Sequence, residues 1–291
     1  MTCPYCAQES RPLYPAKDWN QRSSTEAFRY RRCRVCSLTF IEKIPEDLAQ
    51  YYLNEQYGIP ADAEGFGPRS ESQRWKVDIL RSLAAPCPLL EVGPATGEFA
   101  LAARKAGYLP KLLEMDADCC RFLRDALEMD VVQTMEPAAF LASSAQYDAI
   151  CIWQAIEHIP DFWTLMERAA ERLATGGVMI LSTPNPTSLQ ARLLGRFWPH
   201  LDAPRHLYLI PQAWMRAFAR KHGLQVVLDT TRDTGSLALN GYGWYLAVRN
   251  ALRERASNRA VEFVAARLAS LFGPMEARES WGCSYTVAFR R

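Results

Sequence analysis

The sequence has no long apolar run, no secretory-type start and almost no net charge. Its 291 residues carry 34 Lys and Arg against 32 Asp and Glu, so a net charge of +2 gives no indication of a nucleic-acid partner. The longest apolar stretches, such as residues 149–153 and 178–181, are far shorter than the roughly 20 residues of a membrane helix. The first residues lack a basic segment followed by an apolar one, so no secretory signal is expected. These absences favour a soluble, cytoplasmic protein.

Histidine is scarce, with 4 residues, but there are 9 cysteines, an odd number that does not resemble a disulfide framework. Four of them form two C-x-x-C pairs, Cys3 with Cys6 and Cys33 with Cys36. Two such pairs are typical of a structural zinc site, because four thiolates complete a closed tetrahedron. The alternative is that they are ordinary buried or redox-active thiols. We predict a zinc ribbon over residues 1–44 whose folding depends on the metal.

The predicted ribbon is more basic than the rest of the chain. It contains eight Lys and Arg against four Asp and Glu, a local excess of +4. Its arginines lie next to Phe28 and Tyr30, so this face is either a contact for an anionic or nucleic-acid substrate or an ordinary solvated surface. These arginines are Arg29, Arg31, Arg32 and Arg34.

Behind the ribbon, residues 45–70 combine a short aromatic helix with a linker rich in Gly and Pro, which predicts a boundary and a lid. Residues 71–291 form the predicted large domain, in which strands and helices alternate. This alternation favours a parallel sheet covered by helices on both faces, with ligands beyond the carboxyl ends of the strands. Strands are predicted at 88–92, 111–114, 130–132, 147–153, 177–183 and 284–289, and helices at 98–106, 118–127 and 162–173.

A small-residue turn follows the first of these strands. Gly93 allows the tight turn, and Gly97 lets the next helix begin close to a ligand, with its amide groups facing it. Glu114, 21 residues after Gly93, is placed to accept hydrogen bonds from both hydroxyls of a ribose. Glu91 suits an ammonium better than a phosphate. A zwitterionic cofactor with an adenosine ribose fits these charges, and S-adenosylmethionine is such a cofactor.

With these residues, the chain resembles the class I S-adenosylmethionine-dependent methyltransferases, in particular a broad bacterial group. That group has an E-x-G-x-x-x-G turn, a W-x-x-x-E-H-x-P-D segment and a T-P-N sequence, which occur here as residues 91–97, 153–161 and 183–185. Residues 204–208, PRHLY, are similar to a further P-x-H-L-Y motif. The resemblance covers roughly residues 46–234.

The resemblance implies an α/β fold, in which a doubly wound, seven-stranded Rossmann-like methyltransferase sheet is preceded by the small zinc ribbon. Ala95 departs from the pattern because many members have glycine there, and its methyl group could narrow the pocket. The implied cofactor contacts are Glu91, Gly93, Ala95, Gly97, Glu114, Met115, Thr134, Met135 and Gln154.

The acceptor side of the site is less defined. A general base is needed only if the acceptor carries a proton, as a hydroxyl does, and the resemblance implies His158 and His206 for that role. Each histidine could instead brace a loop. Glu157 beside His158 also leaves open a divalent metal in the acceptor pocket, although a Glu-His dipeptide by itself points its side chains apart. The candidate substrate contacts are Tyr57, Asn185 and Arg205.

The sequence therefore predicts an S-adenosylmethionine-dependent methyltransferase with a structural Zn²⁺, acting on a small-molecule or saccharide-type acceptor in secondary metabolism or cell-surface biosynthesis. One alternative is an RNA methyltransferase that grips RNA with the basic ribbon. Another is a non-catalytic regulatory protein that keeps the fold. A helical insertion at 241–272 precedes the last strand, and its apolar stripe fits core packing, a homo-oligomer interface or a membrane surface.

Overall fold

The structure is a computed structural model that describes residues 1–52, 58–60, 62–252 and 255–291. The strands are β1 Ser10–Ala16, β2 Phe28–Cys33, β3 Thr39–Ile41, β4 Pro88–Val92, β5 Leu109–Glu114, β6 Asp130–Gln133, β7 Tyr147–Trp153, β8 Leu173–Pro184, β9 Tyr208–Leu209, β10 Gln225–Thr230 and β11 Ser284–Arg290. The helices are α1 Gly67–Glu71, α2 Arg74–Leu83, α3 Glu98–Lys105, α4 Ala117–Asp125, α5 Pro137–Ser143, α6 Phe162–Arg172, α7 Leu189–Leu194, α8 Gln212–Lys221, α9 Thr234–Leu252 and α10 Asn258–Glu276.

The predicted large sheet is confirmed. Within the described residues, seven strands form one sheet in the order β10-β11-β8-β7-β4-β5-β6, and β11 runs antiparallel to both of its neighbours. Strand β4 lies between β5 and β7, with Leu89 opposite Pro110 and Ala149. Six of the seven residues of β7 are buried, as expected for a parallel strand covered on both faces.

Helix starts follow from local capping side chains. Asp116, two residues after the end of β5, accepts a hydrogen bond from the Cys119 N–H and begins α4. Ser188 and Ser257 cap α7 and α10 in the same way. Such caps satisfy amide groups that have no partner within the helix. The Ser257 cap also separates the predicted helical segment 241–272 into two helices, α9 and α10, which extend beyond it at both ends.

The amino-terminal residues form a second sheet that crosses into the large domain. Its order is β1-β2-β3-β9, and β3 pairs with β9 through Thr39 opposite Leu209 and Phe40 opposite Tyr208. Buried residues of both parts, such as Phe40 and Ile152, belong to one apolar core. The domain boundaries at residues 44 and 70 stay predictions, but the amino-terminal segment is packed into the large domain.

The fold gathers the candidate residues at one edge. Glu91 lies near the carboxyl end of β4 and Glu114 at that of β5, whereas Gln154 and Thr183 lie at the ends of β7 and β8. Since parallel strands end at the same edge, these polar side chains surround the crevice where such sheets bind ligands.

Candidate functional site

The turn between β4 and α3 has the backbone expected of a close ligand approach. Gly93 and Gly97 have φ angles of +72° and +85°, and Ala95 between them has φ +51°. A Cβ on Gly93 would lie 2.7 Å from the Cβ of Ala155, and a Cβ on Gly97 would overlap Leu123. Glycine is therefore required at both positions. Gly93 also brings this turn, residues 93–97 and hereafter the cofactor turn, against the segment that follows β7.

Glu114 holds this turn in place. One carboxylate oxygen accepts the Ala95 N–H at 3.0 Å, and the other accepts the N–H groups of Met115 and Asp116 at 2.8 and 2.9 Å. Only 5% of the residue is exposed. Burial raises the pKa of Glu114, and the three amide hydrogen bonds oppose that rise. The residue therefore ties the cofactor turn to the end of β5.

Glu91 is a second buried carboxylate at this site. Among the described residues, its Oε2 has no hydrogen-bond partner. Burial raises its pKa, and the nearby Lys76 ammonium opposes that rise. The Lys76 ammonium in turn lies over the rings of Trp75 and Trp153, at 5.6 and 5.3 Å from their centroids. A buried carboxylate with an unused oxygen can receive a cationic ligand group.

The predicted adenine contacts lie at the ends of the next two strands. Met115 follows β5 and is 40% exposed, whereas Met135, after β6, is 76% exposed. Thr134 donates its backbone N–H to the Glu114 carbonyl at 2.8 Å, which places the two strand ends side by side. The structure thus brings Met115 and Thr134 to the cofactor edge and leaves Met135 largely in solvent.

The side chain of Gln154 is hydrogen-bonded to two strands of the large sheet. Its φ is +50°, and its side-chain amide donates to the hydroxyls of Ser182 and Ser284 at 3.1 and 2.8 Å. These serines belong to β8 and β11. Its amide N–H groups are therefore used within the sheet, which leaves the carbonyl oxygen of its side chain for a ligand.

Glu157, His158 and His206 form a compact cluster beside the cofactor turn. One potential ligand atom of each lies within 4.8 Å of the others, and the two imidazole centroids are 4.7 Å apart. Glu157 and His158 occupy a short 3₁₀ turn after β7, and His206 precedes β9. The Thr183 hydroxyl donates to Glu157 Oε2 at 3.0 Å. The cluster therefore joins three separate parts of the chain.

Burial controls the charges of this cluster. It lowers the pKa of His158, and together with the neighbouring His158 it lowers the pKa of His206 to about 3. Burial also raises the pKa of Glu157 to about 8. Both imidazoles are therefore neutral at pH 7 and able to bind a cation, and its low pKa makes His206 a weak base.

Two predicted substrate contacts have structural roles instead. Asn185 is fully buried and donates to the carbonyls of Ser280 and Gly282, so it fastens β8 to the segment before β11. Arg205 is also fully buried, and its five N–H groups are used by acceptors within the chain. Those acceptors are Asp18, Gln21, Tyr51 and Asp202. The polar groups of both side chains are used to hold segments of the chain together. Tyr57, the third predicted contact, lies outside the described residues.

The four cysteines of the amino-terminal pairs come together as predicted. Sγ of Cys3 lies 3.8 Å from that of Cys36, and Cys6 lies 3.5 Å from Cys33 and 3.7 Å from Cys36. All four are free thiols. Four sulfurs at about 2.3 Å from a zinc ion would be about 3.8 Å apart, so the spacing fits a tetrahedral metal site.

Sequence reasoning missed two charged residues that shape the site, the half-buried Lys76 and the buried Asp18. Lys76 gave no signal, because a lysine in a helix is usually solvated. Asp18 pairs with Arg205 across 187 positions at 2.8 Å, and no local pattern reports such a contact. The positions of Lys76 and Asp18 near the site could be recognised only from the tertiary structure.

A family model described as a methyltransferase domain matches residues 67–228, more than half of the chain. Among solved structures, an S-adenosylmethionine-dependent methyltransferase from Archaeoglobus fulgidus has a TM-score of 0.52 and 15% identity, over 77% of this chain and 94% of that one. The [4+2]-cyclase SpnF has a TM-score of 0.50 and 14% identity, over 75% of this chain and 80% of its own. The comparison with curated proteins gave no match. At these identities the solved structures establish the fold alone.

The matched segment contains the Gly93 and Gly97 turn, Glu114 and the Glu157–His158 pair. None of the helices in the described part of the chain has the length and apolarity of a membrane span. The chain belongs to the methyltransferase domain family and is an S-adenosylmethionine-dependent methyltransferase.

Proposed function

We propose that this enzyme methylates a small-molecule or saccharide-type acceptor in the cytoplasm, in secondary metabolism or cell-surface biosynthesis. The observation that carries this proposal is that arginines of the basic ribbon form ion pairs within the ribbon. Arg31 is paired with Glu42 at 3.6 Å, and Arg34 is paired with Glu9 at 3.3 Å. Two of the eight basic ribbon residues are thus paired with carboxylates of the ribbon itself, and together with the net charge of +2 for the whole chain this favours a small acceptor over RNA.

The residues around the cofactor turn fit S-adenosylmethionine. Glu91 offers an unused carboxylate oxygen for the ammonium, and Gly97 presents the start of α3 without a side chain. We assign Glu114 to the ribose hydroxyls, Met115 and Thr134 to the adenine, Met135 to its outer edge and the Gln154 carbonyl to the methionine part. When bound, the cofactor supplies an electrophilic methyl group. The protein's contribution is to hold the acceptor in line with that group and exclude water.

On the acceptor side, we assign His158 and His206 to the acceptor's reacting group. His158 is the more accessible of the two, and its Nδ1 lies 2.9 Å from the Tyr52 hydroxyl. Gly93 of the cofactor turn closely approaches Ala155, three residues before His158. A neutral imidazole here can remove a hydroxyl proton as the acceptor oxygen bonds to the methyl group.

We also propose that Cys3, Cys6, Cys33 and Cys36 bind a structural Zn²⁺. The sulfur spacing fits, and four thiolates leave no open position for catalysis. The Val35 and Cys36 N–H groups both donate to Cys33 Sγ at 3.4 Å, as expected for a sulfur that carries negative charge. The metal would then stabilise residues 1–44 as a unit that packs on the large domain.

Isothermal titration calorimetry tests the cofactor assignment. We expect wild type to bind S-adenosylmethionine and Glu114→Ala to bind it at least tenfold more weakly, because hydrogen bonds to a charged group contribute about 1.5–3 kcal/mol each. Glu46→Ala is the control, since its side chain is 91% exposed. Absence of binding by wild type, or equal binding by Glu114→Ala, would refute the assignment.

Methyl incorporation from labelled cofactor into hydroxylated small molecules, sugars and RNA tests the acceptor class. Labelling of a small molecule or sugar is expected. RNA binding that weakens steeply with salt, together with RNA labelling, would instead establish an RNA methyltransferase.

A further inference from the structure

The Glu157, His158 and His206 cluster has a feature that general base catalysis does not require. Glu157 is fully buried, and within the described part of the chain its Oε1 has no hydrogen-bond partner. This oxygen lies 3.9 Å from His206 Nε2. A buried carboxylate oxygen without a partner costs free energy unless a ligand supplies one.

The hydrogen bonds of the two histidines assign their tautomers. His206 Nδ1 lies 2.8 Å from the His200 carbonyl, and His158 Nδ1 lies 3.0 Å from the Arg205 carbonyl. A carbonyl oxygen only accepts, so each Nδ1 carries the proton and donates it. The Tyr52 hydroxyl oxygen, 2.9 Å from His158 Nδ1, then accepts from the same N–H. Each Nε2 is then left with a lone pair, which is the form of imidazole that binds metals.

All three side chains are oriented through their second polar atom. The two histidines donate to backbone carbonyls, and Glu157 Oε2 accepts from the Thr183 hydroxyl at 3.0 Å. The backbone is itself fixed, because the Tyr30 hydroxyl donates to the His206 carbonyl at 2.8 Å. Metal ligands in proteins are held in this way by outer hydrogen bonds.

We propose that Glu157, His158 and His206 bind a divalent transition-metal ion, in a site separate from the four cysteines. Two imidazoles and one carboxylate favour ions such as Zn²⁺, Mn²⁺, Fe²⁺ or Co²⁺ over Mg²⁺ and Ca²⁺, which prefer oxygen ligands. Ligand atoms at about 2.1 Å from an ion are about 3.0–3.4 Å apart, so the 3.9 Å separation between Glu157 and His206 closes with a side-chain shift below about 1 Å.

Three protein ligands leave coordination positions open. The segment that carries Glu157 and His158 begins against the cofactor turn, so these positions suit an oxygen of the acceptor. The metal would favour an acceptor hydroxyl in its deprotonated form, with the proton released to solvent water. The histidines would then act as ligands rather than as bases. This last step rests on the proposed function, whereas metal binding itself does not.

Cobalt binding to the full-length protein tests the site. Protein treated with a mild chelator is titrated with Co²⁺, and optical absorption separates the two clusters, since only thiolate-bound cobalt gives intense sulfur-to-metal charge transfer. We expect one equivalent of cobalt that lacks this absorption. Binding to the cysteines alone would overturn the proposal.

Variants locate the ion. His206→Asn keeps a donor near the Nδ1 position but removes Nε2, and Glu157→Gln keeps an acceptor for Thr183 but removes the charge. Each should weaken this cobalt binding at least 100-fold, whereas the matched control His222→Asn should not. Thr183→Val keeps all three ligands and should weaken binding about 10- to 100-fold. Unchanged cobalt affinity in folded His206→Asn and Glu157→Gln would refute the site.

Calorimetry with S-adenosylmethionine and cobalt titration, both on the wild-type protein, separate the two proposals. Failure of cofactor binding would count against the proposed function and leave the cobalt result standing. Normal cofactor binding without the additional cobalt would count against the metal site alone.

Discussion

The two clusters of metal-type side chains in this protein are assembled in opposite ways. The cysteine cluster comes from two short repeats, Cys3 with Cys6 and Cys33 with Cys36, and each repeat places two sulfurs by local turn geometry. The second cluster combines Glu157 and His158 with His206, which lies 48 residues further along the chain. The first can be identified from spacing, whereas the second depends on how β7, β8 and the segment before β9 pack.

This difference predicts different sensitivities. The cysteine cluster should depend on its own ligands and little on distant residues. The Glu157, His158 and His206 cluster should depend on the packing of the amino-terminal segment, because Tyr30 and Arg205 hold the backbone around it.

The largest expected effect is that of Cys33→Ser. Loss of one thiolate removes a ligand and leaves three buried or half-buried sulfurs without the metal, so we expect loss of one equivalent of zinc and a thermal midpoint at least 10 °C lower. Elemental analysis and circular dichroism measure both. Cys87→Ser, a half-buried cysteine outside the cluster, should keep the zinc. Full zinc content in folded Cys33→Ser would show that the cysteines are ordinary thiols.

Arg205→Met should affect the second cluster and spare the first. It leaves the buried Asp18 and the half-buried Asp202 without their cation, which should cost about 3–5 kcal/mol in the free energy of unfolding. Urea denaturation measures this loss. Arg216→Met is the matched control. Its ion pair with Asp229 is 47% exposed at the arginine, so its loss should cost below about 1 kcal/mol. We expect Arg205→Met to keep its zinc and to lose cobalt affinity at the second cluster. Loss of zinc as well would show that the clusters are not independent.

The ion pair between Arg205 and Asp202 makes the stability of the protein depend on pH. Burial by itself would raise the pKa of Asp202, but Arg205 and the other partners outweigh it and hold the pKa at about 2. A carboxyl whose pKa is lowered on folding stabilises the protein above its ordinary pKa near 4, and this stability is lost as the pH falls towards 2. The stability difference between wild type and Arg205→Met should therefore shrink as the pH falls from about 5 to 3.

The smallest expected effect is that of Ala95→Gly, which touches neither cluster. Ala95 has φ +51°, a conformation that costs a residue with a Cβ about 1–2 kcal/mol. Glycine removes this cost and so stabilises the folded state, but the greater flexibility of glycine in the unfolded chain offsets part of that stabilisation. We expect a net change below about 1 kcal/mol and no change in zinc or cobalt binding. A larger loss would mean that the Ala95 methyl group packs against part of the site.

Much of the fold was predictable, and the errors have physical causes. The strands predicted at 88–92 and 147–153 have the observed bounds, because continuous apolar runs mark buried parallel strands. The strand predicted at 177–183 is longer, from Leu173 to Pro184, because pairing with β7 and β11 extends it through residues of weaker pattern. The pairing of β3 with β9 carried no signal, since β9 has two residues.

The site residues also differ in whether local elements or tertiary packing place them. Gly93, Gly97 and Glu114 could be predicted as cofactor contacts because one strand, one turn and the next strand bring them together, and their contacts with the cofactor stay a proposal. Asn185 and Arg205 looked like substrate contacts, since polar residues after a strand usually face the ligand edge. Packing placed them inside, where hydrogen bonds to distant segments use their polar groups.

The sequence by itself determined the alternating sheet, the cofactor turn and the pairing of the four cysteines, because each depends on residues that are close along the chain. Only the tertiary structure decided that Arg205 is a buried ion-pair partner and that Glu157, His158 and His206 converge on one point. A Glu-His dipeptide alone points its side chains apart. Here the 3₁₀ turn of Ile156–His158 and the contacts of Thr183 and Arg205 orient both towards His206, and such long-range constraints leave no local pattern in the sequence.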